Sequence, residues 1–133
     1  MPHYLLDSGP LGGYLLGTRR AHTLISPWIA NKDVVTSNLA YAEVHEFILA
    51  FPDYHNRNSQ LLRIVFGPIP ALNLDYATLQ RYGELRNYLR PRNLLIGDID
   101  TLIAATALEA NLTVVTNNAR HFGRIPGLNV IVY

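Results

Sequence analysis

Asp100-Thr101-Leu102-Ile103-Ala104-Ala105-Thr106-Ala107-Leu108, closely followed by Thr113-Val114-Val115, decides the fold class. The first run has almost no polar face, which predicts a helix from Ile99 to Ala110 buried on most sides. Asn111 stands where a helix end turns left-handed, and the β-branched run after it reads as a strand. Upstream, the alternation of strand and helix repeats. His3 to Leu6 is a short apolar strand ending at Asp7. Ser8-Gly9-Pro10 is expected to break that strand, with Gly9 to Gly13 reading as a turn. Leu11 to Gly17 predicts a short helix and Arg19 to Asn31 a longer one, with Pro27 as a kink or boundary.

Val34-Val35-Thr36 predicts a second strand. Ser37 or Asn38 then caps a helix to about Phe51, and a further helix runs through Leu61, Leu62, Val65 and Phe66. Ile69 to Leu74 predicts a third strand, weak or at an edge because of Pro70. Asp75 caps a helix to about Leu89. Asn117-Asn118 begins a loop, and Leu128 to Tyr133 forms a last strand. Strands spaced by helices imply an α/β/α sandwich: a mainly parallel sheet of about four to five strands with helices on both faces. Ligands of such sheets sit beyond the carboxyl ends of the strands, where strand order reverses.

The chain has 133 residues, 49% apolar and 16% charged. That is one domain's worth of globular sequence. It contains no cysteine, which excludes disulfides, thiolate nucleophiles and Cys-ligated zinc or iron–sulfur centres. No run approaches the ~18 apolar residues of a membrane helix, and Met1 to Asp7 lacks the pattern of a signal peptide. A cytoplasmic location is expected, with no membrane partner. P-loop, GxGxxG and GxSxG motifs are absent. His3, His22, His45, His55 and His121 show no zinc-binding spacing. Ten of the eleven basic residues are Arg, which suits bidentate phosphate contacts as well as an ordinary solvated surface.

Three acids stand out. Asp7 follows a strand, at the ligand-binding edge or simply in a turn. Glu43 lies two turns into the helix leaving the second strand, near Glu46, within a site or on a solvated face. Asp100 lies in the first turn of the buried helix, where the dipole favours an anion, with Asp98 competing for the capping or functional role. Near one sheet edge, the three would repel one another and resist ionising. A divalent cation removes that difficulty, and an all-oxygen ligand set favours Mg²⁺ or Mn²⁺. Ser8 is expected to hydrogen-bond Asp7 or a bound water.

With these residues the chain resembles the PIN-domain ribonucleases, and within them the VapC-like toxins of toxin–antitoxin pairs, over nearly its whole length. Tyr4-Leu5-Leu6-Asp7-Ser8 is similar to the first motif. Val35-Thr36-Ser37 with Ala42-Glu43-Val44 is similar to the second, and Ile96-Gly97 through Ala105 to the third. Val114-Val115-Thr116-Asn117-Asn118-Ala119-Arg120-His121-Phe122 with Ile125-Pro126-Gly127-Leu128 is similar to the C-terminal signature. The resemblance departs once: Asn118 and His121 stand where a further acid is often found, which leaves a second metal site in doubt.

The resemblance implies a single PIN domain over 1–133 and an Mg²⁺-dependent endoribonuclease in which Mn²⁺ substitutes. Asp7, Glu43 and Asp100 would be its metal ligands and catalytic residues, supported by Ser8, Asp98, Thr116, Asn118 and His121. Arg120 and Arg124 are candidate RNA contacts, and Arg81, Arg86, Arg90 and Arg92 a candidate approach groove. The partners would be an RNA substrate, a cognate VapB-like antitoxin and a second copy in a homodimer. Trp28, Phe47 and Phe51 belong either to such an interface or to the core. The rival readings are a PIN nuclease of RNA processing without antitoxin, a nuclease-inactive PIN binding module, and an unrelated acidic-pocket phosphatase.

Overall fold

The computed structural model describes residues 1–133. Five strands, β1 (Tyr4–Leu6), β2 (Val34–Ser37), β3 (Ala71–Leu72), β4 (Thr113–Thr116) and β5 (Val130–Val132), form one sheet ordered β3-β2-β1-β4-β5. Every pairing is parallel; Leu5 stands opposite Val35 on one side and Val114 on the other. Seven helices surround the sheet: α1 (Ser8–Leu15), α2 (Arg19–Ala30), α3 (Asn38–Ile48), α4 (Tyr54–Val65), α5 (Tyr76–Leu89), α6 (Asp98–Glu109) and α7 (Ala119–Phe122).

Strand alternation divides the apolar residues between two cores. Leu5, Val35 and Val114 pack with α5, α6 and α7 on one face, through Leu85, Leu89, Ile103 and Phe122. Leu6, Val34 and Val115 pack on the other with α1 to α4, through Leu11, Ile25, Val44, Ile48 and Leu61. Along α6, Thr101 and Ile103 to Ala107 are all buried, as its apolar run requires. Its two threonines back-bond to the carbonyls of Gly97 and Leu102, each at 2.8 Å, so no hydroxyl is left orphaned. The sheet order reverses at β1, between β2 and β4, which places the switch point beyond Leu6 and Thr116.

Several local expectations are corrected. β1 ends before Ser8-Gly9-Pro10 as expected, but these residues already open α1, which begins at Ser8 instead of Leu11. Pro10 lies in the first turn, where its missing N–H leaves no bond unmade. The Gly9 to Gly13 stretch is therefore helical. A Cβ at Gly9 would come within 2.8 Å of the Asn117 side chain, so this glycine lets α1 approach the loop after β4. Pro27 lies inside α2 without ending it; Thr23 and Pro27 are both exposed, so water can satisfy the carbonyl that proline frees. α3 ends at Ile48 instead of Phe51, and Asn118 starts the short helix α7 instead of a loop. β3 keeps only two residues and lies at an edge, as Pro70 predicts.

Asn111 has φ 55°, the left-handed conformation expected of it. Asn111→Ala is predicted to destabilise the protein by about 1–2 kcal/mol and Asn111→Gly to be nearly neutral. Urea unfolding of the two variants would check this.

Candidate active site

The backbone N–H of Asp7 donates to the carbonyl of Val115 at 2.9 Å, so strand pairing continues one residue past β1 and anchors the carboxylate. Asp7 occupies the position before α1, yet its side chain makes no capping bond. Oδ2 instead accepts a 2.7 Å bond from the Thr116 hydroxyl at the end of β4. Oδ1 is buried without any partner, and the residue as a whole is only 4% exposed. Burial pushes this carboxyl above its usual range and the charge of Asp100 adds to that, while Thr116 and the Ser8 N–H pull it down.

Glu43, half-buried on α3, faces the same region. Its carboxyl is also raised, first by burial and then by the charge of Asp7, with smaller contributions from Asp100 and Glu46. The Ser8 hydroxyl opposes the rise at Glu43. Ser8 and Glu43 line one cleft of about 300 Å³ with Gly12, Leu16 and Phe47.

Asp100 and Asp98 part company. Gly97 takes the cap position of α6, so neither acid is the N-cap. Asp98 turns outward, pairing with Arg86 at 2.8 Å and accepting from Tyr82 Oη at 3.1 Å. That tie braces α6 against α5 and draws Asp98 away from the role of an assisting carboxylate. Asp98→Asn is predicted to cost at most about 1 kcal/mol and to leave catalysis nearly unchanged, as thermal melts and RNA cleavage would show.

Asp100 turns inward. Its Oδ2 accepts from Asn118 Nδ2 at 3.1 Å and lies 3.3 Å from His121 Nδ1. Asn118 Nδ2 also reaches His121 Nδ1 at 2.8 Å. The Asn118 backbone N–H donates to Thr116 Oγ1 at 2.9 Å. Thr116, fully buried, thus joins Asp7 to the Asp100–Asn118–His121 group. A motif-end threonine gives no hint of that bridge in sequence, because its two partners lie far apart along the chain.

The three acids meet at the switch point as a repelling set, but no three His, Asp or Glu side chains close on one point as a preformed cage. Their shortfall is polar: a buried carboxylate oxygen with no donor is the defect a cation corrects. Oxygen donors of this kind suit a hard divalent ion.

The arginines divide. Arg120 is exposed. Arg124 Nη1 instead donates to the Leu94 and Leu95 carbonyls at 3.4 and 3.1 Å, pinning the approach to α6. Arg81 pairs with Glu109 and Arg86 with Asp98, which removes two members of the expected groove. Trp28 stacks on Tyr4 at 3.9 Å and, with Phe51, packs against the core, whereas Phe47 is exposed.

Comparisons with known proteins agree with this geometry. The family model described as PIN domain matches residues 4–128. A relative from Rickettsia felis named Ribonuclease VapC2 is 33% identical over 98 residues, 74% of this chain and 72% of that protein. The tRNA(fMet)-specific endonuclease VapC of Salmonella typhimurium is 40% identical over 72 residues, 52% of this chain and 54% of that protein. The crystal structure of VapBC2 from Rickettsia felis bound to a DNA fragment from their promoter superposes with a TM-score of 0.85. Its sequence identity is 25%, covering 98% of both chains.

Proposed function

The chain belongs to the PIN-domain family, and from that premise we propose that it is a divalent-metal-dependent endoribonuclease, the toxin of a VapBC-type pair. The observation that carries the reading is the buried Asp7 carboxylate, one oxygen of it unpartnered, set among the like charges of Glu43 and Asp100. Asp7, Glu43 and Asp100 would hold the cation, Mg²⁺ with Mn²⁺ substituting. When bound, such an ion supplies Lewis acidity, activating water for in-line attack and offsetting charge that develops on the phosphodiester.

The chain's own residues do the positioning. Thr116 holds Asp7 in one rotamer through Oδ2 and leaves Oδ1 free to bind. Asn118 holds Asp100. Ser8 steadies the charged form of Glu43. Gly12 lines the cleft beside Ser8 and Glu43. Arg120 is the free cation nearest in sequence to this group and is read as a phosphate contact. Setting the three proposed ligands aside, seven acids face eleven bases, which favours a polyanion at low salt.

The names of the relatives support RNA as substrate, and the VapBC title supports a VapB-like antitoxin that holds the toxin inactive. We read residues 1–133 as a single PIN domain that acts in the cytoplasm as a homodimer and inhibits growth once released. No helix is long and apolar enough to cross a membrane.

The test is cleavage of an RNA pool by purified protein with Mg²⁺ or Mn²⁺, beside EDTA and Asp100→Asn. Discrete fragments that need both metal and Asp100 are expected. Intact RNA from folded, antitoxin-free protein would overturn the nuclease reading in favour of an RNA- or protein-binding module.

A further inference from the structure

Four arginines lie over aromatic rings, and one differs from the rest. Arg57 over Phe51 pairs with Asp53, and Arg86 over Tyr82 pairs with Asp98, so both charges are neutralised. Arg20 sits 4.9 Å from the centre of the Tyr133 ring. Arg92 sits 3.8 Å above the centre of the Tyr88 ring, the spacing of two planes in contact. No carboxylate lies within ion-pair distance of Arg92. Its Nη1 donates to the Tyr88 carbonyl at 2.7 Å, which ties the guanidinium to the ring and leaves its charge uncompensated.

The local backbone holds this pair in place. Arg90–Arg92 forms a single 3₁₀ turn after α5, closed by Asn93 in the left-handed conformation at φ 55°. The Asn93 and Leu94 N–H groups donate to the Arg90 and Leu89 carbonyls, each at 3.1 Å. Tyr88, Arg90 and Arg92 are nonetheless all exposed. From Leu85 to Gly97 the chain carries three arginines and no acid; Glu84, one turn before Tyr88, is the nearest carboxylate along α5. Short contacts join this surface to the carboxylate site. Arg124 Nη1 holds the Leu94 and Leu95 carbonyls, and the Arg124 N–H donates to the carbonyl of His121, the neighbour of Asp100.

Resting on the ribonuclease reading above, we propose that the Arg92–Tyr88 stack is a platform for one unpaired base of the RNA, with Arg90 on the adjoining phosphate. An exposed guanidinium plane backed by an aromatic ring attracts the face of any base without reading its edge. A duplex keeps those faces stacked inside and offers none of them. The platform therefore selects single-stranded segments over duplex, whatever their sequence.

The experiment is binding of a short single-stranded RNA to the whole chain in EDTA, with the fluorescent base 2-aminopurine placed at each position in turn. Stacking quenches this base. One position is expected to be quenched on binding. Arg92→Ala, Arg92→Lys and Tyr88→Ala should each relieve that quench and weaken binding about tenfold. Lysine keeps the charge but loses the plane, so it separates stacking from simple attraction. Arg63→Ala removes an exposed cation of α4, across the sheet, and should weaken binding far less. A duplex of equal length should bind more weakly and respond little to Arg92→Ala. If Arg92→Lys keeps wild-type affinity and quenching, or if the duplex loses as much as the single strand in Arg92→Ala, the platform is refuted, while metal-dependent cleavage still upholds the ribonuclease reading. If the strand is bound and quenched as described but never cut with Mg²⁺ or Mn²⁺, the platform stands and the ribonuclease reading falls. If folded protein binds no RNA, both fall.

Discussion

Asp7→Asn is expected to lower RNA cleavage by about a thousandfold while raising the melting temperature of the metal-free protein at neutral pH. The two effects share one cause. Asp7 is buried, one of its oxygens lacks a partner, and burial followed by the charge of Asp100 raises its carboxyl above the usual range. Glu43 is raised in the same direction by burial and by Asp7. A folded-state pKa above the unfolded one means that the folded chain binds the proton more tightly. The corresponding stability is complete below the usual carboxylate range and is lost as pH rises through the raised values.

The ionised forms of Asp7 and Glu43 therefore weaken the metal-free fold, increasingly so as pH rises. Asparagine keeps an oxygen for the Thr116 hydroxyl, and an unpaired amide costs less in the interior than an unpaired charge. The stabilisation should shrink as pH falls and Asp7 in the wild type takes up its proton. Added divalent cation should reverse the order, because only the wild type gains binding energy by mass action. Melts across pH, with and without cation, check all of this. A variant less stable than wild type in EDTA at neutral pH would refute the account of Asp7.

Phe122→Ala should be the most damaging single change outside the carboxylates. Phe122 is the largest fully buried side chain and the only buried residue of α7, packed into the core that α5 and α6 share with the sheet. Its truncation is expected to cost about 3–5 kcal/mol, or about 10–20 °C in melting temperature for a domain of this size. The site should suffer with it. Asn118 precedes α7 and His121 lies within it, so a loosened α7 removes both partners of Asp100. Calorimetry on the variant, well below its melting point, should show weakened Mn²⁺ binding. A shift of only a few degrees would mean that α7 is held chiefly by its backbone bonds.

The elements most legible in sequence were those with one dominant local cause. The run from Asp100 to Leu108 could hardly form anything but a buried helix, and β4 follows it because Val114 and Val115 are β-branched between polar ends. Asn111 turns left-handed because a polar side chain tolerates that conformation better than most. Pro10 misled because proline is read as a breaker, whereas in the first turn of α1 its missing N–H costs little; Pro27 lies inside α2 without being its boundary. α7 was hidden because four residues carry no periodicity, and its one buried side chain is Phe122.

Among the candidate residues, local spacing left each acid with a bland alternative. Asp98 and Asp100 are separated by a single residue, and their divergence depends on α5, which brings Arg86 and Tyr82 to one of them. The same holds for Arg124, whose carbonyl partners are Leu94 and Leu95.

By itself, then, the amino-acid order determined the alternation of strands and helices, the parallel sheet, and an acid at the end of β1, within α3 and at the start of α6. These follow from hydrophobic period, β-branching and capping, which act over a few residues. Which carboxylate oxygen lacks a partner, which of two neighbouring aspartates faces inward, and which arginines are already paired were decided only by the tertiary structure. Those outcomes depend on burial and on distances of about 3 Å between groups far apart in sequence, such as Asp7 and Thr116, and hydrogen bonding acts only at that range.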